Sequence, residues 1–373
     1  MTRVLVVNAG SSSLKLRLLG PDDTVEAAHD IEPWTGDADP SVLEPFGQVL
    51  GVADAVGHRV VHGGSELQQA TILDDAVIAR IEALTPLAPL HQPRALAAIR
   101  AVRAARPDVP AVACFDTAFH ATLAPAAATY ALPEEWRRRW GLRRFGFHGL
   151  SHRYAAGRAA ELVGRPVTDL RIVTCHLGAG ASLCAVSGGR SVDTTMGFTP
   201  LEGLVMSTRS GSVDPGLVLW LVSGAGMDAA EVTEALEQSS GLAGLTGTSG
   251  DLREVLAAAG AGDARARLGL DVYAHRLRRE IAAMVAALGG LDVLAFTGGV
   301  GEHLPAVRSS AAEGLAFLGV AIDAHRNSVT TADGEITADG AGVRTVVVTS
   351  REDIEIARLV RSLREAMKAG SAE

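Results

Sequence analysis

The run Val4-Leu5-Val6-Val7-Asn8-Ala9-Gly10-Ser11-Ser12-Ser13-Leu14-Lys15-Leu16-Arg17-Leu18-Leu19 decides how the chain folds. Val4 to Val7 is apolar and β-branched, with no room for a helix, and reads as a strand. Asn8 to Ser13 holds only small and polar residues and reads as a turn. Leu14 to Leu19 alternates apolar and charged residues, the pattern of a returning strand. The same logic recurs at mid-chain. Arg171 to His176 reads as a strand, Leu177-Gly178-Ala179-Gly180 as a turn, and Ala181 to Val186 as the returning strand. A third copy, Val293 to Thr297, runs into the glycine turn Gly298-Gly299-Val300-Gly301. Strand-into-turn units spread along one chain predict a duplicated architecture rather than one continuous domain.

Helical spacing fills the intervals. Residues 93–105 and 150–163 are alanine-rich, the second with Ser151 as its cap and Gly164 at its end. Tyr273, Leu277, Ile281, Met284 and Leu288 form one stripe ending at Gly289-Gly290. It reads as core or subunit contact, not as a cofactor box. A last helix spans about 352–368. Segments 20–50 and 328–342, rich in turn-forming residues, read as irregular surface. Strands and helices in this mixture give an α/β class.

The chain has 373 residues, which at about 100–200 per domain suggests two or three domains. Hydrophobic residues at 47% and charged residues at 21% exclude a disordered chain and a small disulfide scaffold. With 34 basic and 43 acidic side chains the net charge is -9, so nucleic acid is not an expected partner. Any phosphate must be held locally, by backbone N–H groups and a few placed cations. The 41 glycines fit that need. Cys114, Cys175 and Cys184 each sit in an apolar stretch, with no Cys-x-x-Cys pair, and read as buried thiols in a reducing cytosol. The apolar run at the start is too short for a signal-peptide core, and the one around Gly216 to Met227 is too short for a bilayer. A cytoplasmic protein without a membrane partner is expected.

Five stretches carry candidate chemistry, one of them Phe296 to Glu302, whose glycines would let a flat base lie against the backbone. Asn8 to Lys15 leaves backbone N–H groups free to face an anion, with Lys15 as a point charge. Alone, it also reads as a polar hairpin. Gly57-His58-Arg59-Val60-Val61-His62-Gly63-Gly64 sets an arginine, suited to bidentate phosphate contacts, between glycines. Arg144 to His152 feeds a helix N-terminus, where His148 can donate to an anion. Ser191 to Gly216 is a long polar loop containing Arg209. No Ser-His-Asp order and no metal-ligand cluster stands out. Glycine turns, two loop arginines and a loop histidine favour phosphoryl transfer, where positioning and charge neutralisation do most of the work.

These stretches resemble the acetate kinase family along nearly the whole chain. Asn-x-Gly-Ser-Ser-Ser-x-Lys is present at 8–15 and Gly-His-Arg-Val-Val-His-Gly-Gly at 57–64. Pro-Leu-Ala-Pro-Leu-His at 86–91, Phe-Asp-Thr-Ala-Phe-His at 115–120 and Gly-Phe-His-Gly-x-Ser-His at 146–152 follow in order. Ser-Val-Asp-Thr-x-Met-Gly-Phe-Thr-Pro-Leu-Glu-Gly-Leu at 191–204 and Thr-Arg-Ser-Gly at 208–211 complete the match.

The resemblance implies a duplicated, actin/Hsp70/sugar-kinase-like two-domain fold with a central cleft. It implies an N-terminal acyl-kinase domain of residues 1–120 plus 354–373, and a C-terminal nucleotide-binding and dimerisation domain of residues 121–353. It implies ATP or ADP, Mg²⁺ (Mn²⁺ as an alternative), acetate or acetyl phosphate, and a homodimer. By position, Arg59, His148 and Arg209 would surround the transferring phosphoryl group, with Asp116 near the acyl substrate. Asn8 and Glu352 would place the metal. Val61, Leu90, Phe147 and Pro200 would form the pocket for the acetate methyl. Ser12, Lys15, His176, Gly178 and Gly180 belong to the two phosphate turns, and Asp251, Leu252, Arg253, Gly299, Val300, Gly301 and His303 to the adenosine side. Three positions depart from the family pattern: Ala179 and His303 each stand where asparagine is usual, and Gly250 where serine is. All three lie on the nucleotide side. Propionate kinase is the competing activity, and a nucleotide-binding homologue with weakened catalysis is the competing class.

Overall fold

A computed structural model describes residues 2–10, 13–34, 36, 47 and 51–370. The chain divides into two compact units. One comprises Met1–Ala121, Phe147–Tyr154 and Arg351–Glu373; the other comprises Thr122–Gly146 and Ala155–Ser350. The short segment Phe147–Tyr154, which the sequence division carried in the second domain, packs in the first.

The first unit holds a six-stranded sheet in the order β3-β2-β1-β4-β6-β5. Its strands are β1 (Val4–Ala9), β2 (Leu14–Leu19), β3 (Val25–Ile31), β4 (Ala55–Val60), β5 (Thr71–Ile72) and β6 (Ala111–Phe115). β1, β4 and β6 run parallel; β2, β3 and β5 are antiparallel to their neighbours. The second unit repeats this. Its strands are β7 (Arg171–Leu177), β8 (Ala181–Ser187), β9 (Arg190–Thr194), β10 (Val293–Thr297), β11 (Gly334–Glu335) and β12 (Arg344–Val347). The order β11-β12-β10-β7-β8-β9 is the same sheet read from the other edge, with β7, β10 and β12 parallel. Duplication is thus a property of the topology. The strand at Val293 is not a third copy of the hairpin. It is the second parallel strand of the second sheet, the counterpart of β4.

One face of the first sheet is covered by the helix Gln92–Ala105. Ala97, Ala98, Ala101 and Val102 pack on Leu5, Val7, Leu14, Leu16 and Leu18. Each buried leucine contributes about 1.5–3 kcal/mol of transfer energy. Gly57 of β4 marks the approach of the C-terminal helix Glu352–Gly370: a Cβ there would stand 2.5 Å from Ile356 and 2.9 Å from Val360. That close approach is why the C-terminus completes the first unit.

Three other features differ from the sequence reading. The segment 20–50 contains β3, an edge strand with no fully buried residue, whose half-buried inward face, Ala27, His29 and Ile31, mixes polar with apolar side chains. The helix expected to start with Ser151 as its cap begins at Gly149, which leaves Ser151 inside its first turn and buried. The polar loop from Ser191 opens as β9 and has no regular element only between Thr194 and Pro215. The apolar run near Gly216 forms the helix Pro215–Ser223, with Leu217, Leu219 and Trp220 largely exposed. Among the described residues no helix is long and apolar enough to cross a membrane. The three cysteines are buried and form no disulfide.

Candidate active site

Ligands of open α/β sheets gather at the carboxyl ends of the parallel strands. In the first unit this edge carries Asn8 on β1, Arg59 on β4 and Asp116 just after β6. Arg59 donates from Nε to Asp116 Oδ1 at 3.1 Å and from Nη2 to Oδ2 at 2.6 Å. Its Nη1 donates to Asn8 Oδ1 at 3.2 Å. Asn8 Nδ2 in turn donates to Glu352 Oε2 at 3.2 Å, and that oxygen lies 3.9 Å from Arg59 Nε. Burial works against the guanidinium charge, but Asp116 and Glu352 hold the arginine above its ordinary pKa. Burial pushes Asp116 up, against the pull of Arg59. The result is one fixed cation aimed along the strand ends.

His148 sits at the entry to the Gly149–Leu162 helix, in the left-handed region with φ 56°. Gly149 is required there. A Cβ would fall 2.1 Å from the Asp116 carbonyl oxygen, which accepts from the Gly149 N–H at 3.0 Å. His120, buried, donates from Nε2 to the Phe147 carbonyl at 3.0 Å and so fixes the backbone just before His148. His62 packs edge-on to Phe147 at 5.5 Å, and its Nδ1 accepts from the Gly64 N–H at 2.9 Å. Gly63 N donates to Thr117 Oγ1 and Gln92 Nε2 to the His62 carbonyl. These buttresses, His62, Gln92, Thr117 and His120, were not singled out from sequence. The only signal was two histidine-bearing motifs of mostly apolar context. Val61 and Phe147 are buried, whereas Leu90 is 49% exposed. Lys15 is exposed on β2, paired in register with Asp30. Ser12 lies outside the described residues.

The second unit holds Pro200 and Arg209 on the loop before Pro215. Arg209 is half-buried and donates from Nη1 to the Pro200 carbonyl at 2.8 Å. No carboxylate forms an ion pair with it among the described residues, and burial pushes its pKa down. Gly211, with φ 70°, lets the loop close: a Cβ would lie 2.3 Å from the Leu204 carbonyl. Arg144 holds the loop's other strand, donating to the carbonyls of Thr194, Thr195 and Met196 and to Glu202 at 2.6 Å. Tyr130 donates to Glu202 at 2.7 Å and accepts from the Phe198 N–H.

The same unit contains an open cavity of about 470 Å³. Gly178 and Ala179 of the β7–β8 turn, Asp251, Leu252 and Arg253, and Gly299, Val300 and His303 line it, so three separated sequence motifs converge. Ser207 and Leu304 join them, and the Ser207 N–H donates to the Ala179 carbonyl at 3.1 Å. Gly178 N donates to Gly180 O across the turn, and His176 is half-buried at the end of β7. Asp251 caps the helix Leu252–Gly260 and pairs with Arg253 at 2.6 Å, which draws its pKa down to about 2. The sequence turn Gly298 to Gly301 is in fact the start of a short helix, Gly298–His303. Fully buried Arg308 holds it, donating from Nη1 to the carbonyls of Gly301 and Glu302. Gly301 itself serves this helix and does not line the cavity. An arginine on a helix gives no such warning in sequence.

Cavity size, glycine-backed walls and a cap aspartate suit a nucleotide. The strand-end cluster of the first unit sets one guanidinium between two carboxylates, so an anion there needs a further cation beside Arg59. The match to the family model described as Acetokinase family covers residues 43–358. The acetate kinase of Leifsonia xyli is 48% identical over 390 residues, covering 96% of this chain and 98% of the relative. That of Shouchella clausii is 41% identical over 388 residues, with 96% and 98% covered. Crystal structures of an acetate kinase from Porphyromonas gingivalis (36% identity, TM-score 0.89, 96% and 98% covered) and of a propionate kinase from Francisella tularensis (34%, 0.88, 96% and 99%) share the fold. The chain belongs to the acetokinase family.

Proposed function

We propose that the protein transfers the γ-phosphoryl group of ATP to acetate, reversibly, giving acetyl phosphate and ADP. The observation that carries this reading is Arg209. A half-buried guanidinium with no ion pair is costly unless an anion completes it. Arg59, His148 and Arg209 act on the transferring group, whose charge is shared between two oxygens as it moves. The acetate carboxylate is already an anion, so cations rather than a strong base are needed. Asp116 aims Arg59 and stands near the acyl substrate. Val61, Leu90 and Phe147 of the first unit and Pro200 of the second are assigned to the acetate methyl group, where larger acids would be rejected by volume. The first unit is assigned the acyl chemistry and the phosphate turn that carries Ser12 and Lys15; the second is assigned the nucleotide, held by the lining of the 470 Å³ cavity with His176 at the second phosphate turn.

The residues present fit a hard divalent ion. Asn8 offers an amide oxygen and Glu352 a carboxylate, the donor types Mg²⁺ prefers, and Mn²⁺ accepts the same set. Among the described residues no group of three or more His, Cys, Asp or Glu could hold a metal by itself. Phosphate oxygens and water must therefore supply the other ligands, as is usual for nucleotide-bound magnesium. Bound there, the ion would screen charge between the two anions. The exposed apolar face of Pro215–Ser223 supports the homodimer. Buried cysteines without a disulfide suit a reducing cytosol.

A coupled assay with acetate, propionate and butyrate tests the reading. Acetate should be the best acceptor by kcat/KM. Preference for propionate would move the protein to the related activity, and no turnover with any of the three would leave only a nucleotide binder.

A further inference from the structure

A second cavity of about 310 Å³ lies among the helices Leu252–Gly260, Ala264–Leu288 and Pro305–Glu313. It shares no lining residue with the nucleotide cavity. Leu256, Leu270, Leu277 and Val307 give it an apolar floor. Its wall carries Arg278, held by two neutral groups: Nε donates to the Ser310 carbonyl at 2.7 Å and Nη2 to the Ser310 hydroxyl at 3.0 Å. Gly314 leaves room for the side chain to pass: a Cβ there would stand 2.3 Å from Arg278 Cδ. Nη1 is left over, and no ion pair among the described residues satisfies the charge. Asp271 lines the cavity seven residues earlier on the same helix, about 10 Å along its axis. It repels an anion from that end. His275 lies between and can donate one hydrogen bond.

We propose that this groove binds a small monocarboxylate with an apolar tail, the carboxylate on Arg278 Nη1 and His275 and the tail on the leucine floor. The size is at the lower end of ligand sites, about 300–1,000 Å³, and a fixed, unpaired guanidinium selects a carboxylate head. The site also bears on the nucleotide. Leu252 and Arg253 of the first helix line the nucleotide cavity one turn before Leu256, and His303 and Leu304 line it directly before Pro305. Occupancy of the two sites is therefore linked, and reciprocally so.

The test is titration calorimetry of the full chain with 4-phenylbutyrate and its neutral analogue 4-phenylbutanamide. The acid should bind once per chain, and the amide at least tenfold more weakly. Arg278→Met, which removes the cation, and Ala274→Phe, which fills the groove, should each weaken the acid at least tenfold. Ala306→Phe fills it from the opposite wall should Ala274→Phe not fold. Saturating ADP should shift the acid's Kd at least threefold. Saturating acetate should leave it unchanged. Displacement by acetate, or binding that survives both filled grooves, would put the acid in the acyl pocket or elsewhere and overturn the proposal, as would equal affinity for the amide. A Kd indifferent to ADP would overturn the linkage. None of these outcomes depends on turnover of acetate.

Discussion

Asp116 grips Arg59 with both carboxylate oxygens, at 3.1 and 2.6 Å, from a position only 1% exposed. The fork fixes the plane of the guanidinium and leaves Nη1 to Asn8, so one buried acid orients both the cation and the asparagine proposed to meet the metal. Removing it strands a charge. Asp116→Ala should destabilise the first unit by about 3–5 kcal/mol, the usual penalty for breaking a buried pair. Chemical denaturation checks this. A variant as stable as the wild type would mean that Glu352, 3.9 Å from Arg59, satisfies the arginine alone.

Ala179 presents only a methyl group to the 470 Å³ cavity proposed for the nucleotide. Its carbonyl is already taken by the Ser207 N–H, so the turn geometry is fixed and a longer side chain can be grafted on it. Ala179→Asn should tighten ATP binding by about 1 kcal/mol if one hydrogen bond forms. Titration calorimetry on both forms decides the point. Equal or weaker binding in the variant means that backbone groups alone hold the phosphates.

Val61 is buried directly after β4, two residues beyond Arg59. Our reading puts its side chain at the methyl end of the acyl pocket. Val61→Ala should raise kcat/KM for propionate relative to acetate by the equivalent of about 1–3 kcal/mol, the worth of one methylene. An unchanged ratio removes Val61 from the pocket.

His58 has neither ring nitrogen hydrogen-bonded and is 1% exposed; burial lowers its pKa from 6.5 to about 3. Below pH 6.5 the unfolded chain takes up a proton that the folded chain refuses. Stability is therefore fully present above that pH and is lost as the pH falls toward 3. Between pH 7.5 and 5 the loss is about 2 kcal/mol. His58→Leu should lose less stability over this interval by that amount, read from urea midpoints at both pH values. His62, whose pKa burial lowers to about 4, contributes equally to both proteins and cancels. Parallel pH profiles would show that a buried water or a local opening already lets His58 titrate.

The parts of this architecture legible in sequence are those set by local patterning. The hairpins of β1–β2 and β7–β8 announce themselves because buried positions alternate, or run apolar, and the turns are all small residues. β3 is silent because its inward positions Ala27, His29 and Ile31 are only half-buried, and the polar His29 among them together with the apolar Ala28 on the exposed face blurs the alternation in sequence. The Gly298–His303 helix is silent because glycine spacing says turn; what makes it helical is Arg308, which binds its carbonyls. The candidate site follows the same division. Arg59 and Arg209 stood out as cations in glycine-rich context. His120, whose bond to the Phe147 carbonyl sets the backbone before His148, did not, since its partner is 27 residues away. Residues that hold ligands leave compositional traces; residues that hold those residues do not.

Arg209 offers the sharpest test of the proposed transition state. Its Nη1 is bound to the Pro200 carbonyl, which keeps the side chain extended without neutralising it. Lysine keeps the charge but loses the planar fork that can span two phosphoryl oxygens. Arg209→Lys should therefore fold normally and lose activity mainly in kcat, by about 10²–10³-fold, because the missing contact matters most when charge is shared between acetate and ADP oxygens. Added guanidine should partly restore Arg209→Ala, the small cation entering the vacated space. The competing role is a brace: the same hydrogen bond ties the loop at Pro200. On that account the lysine variant would show a lowered Tm with kcat near wild type, and guanidine would restore nothing. Steady-state kinetics at saturating ATP and acetate, run beside thermal melts of the same preparations, separate the two roles.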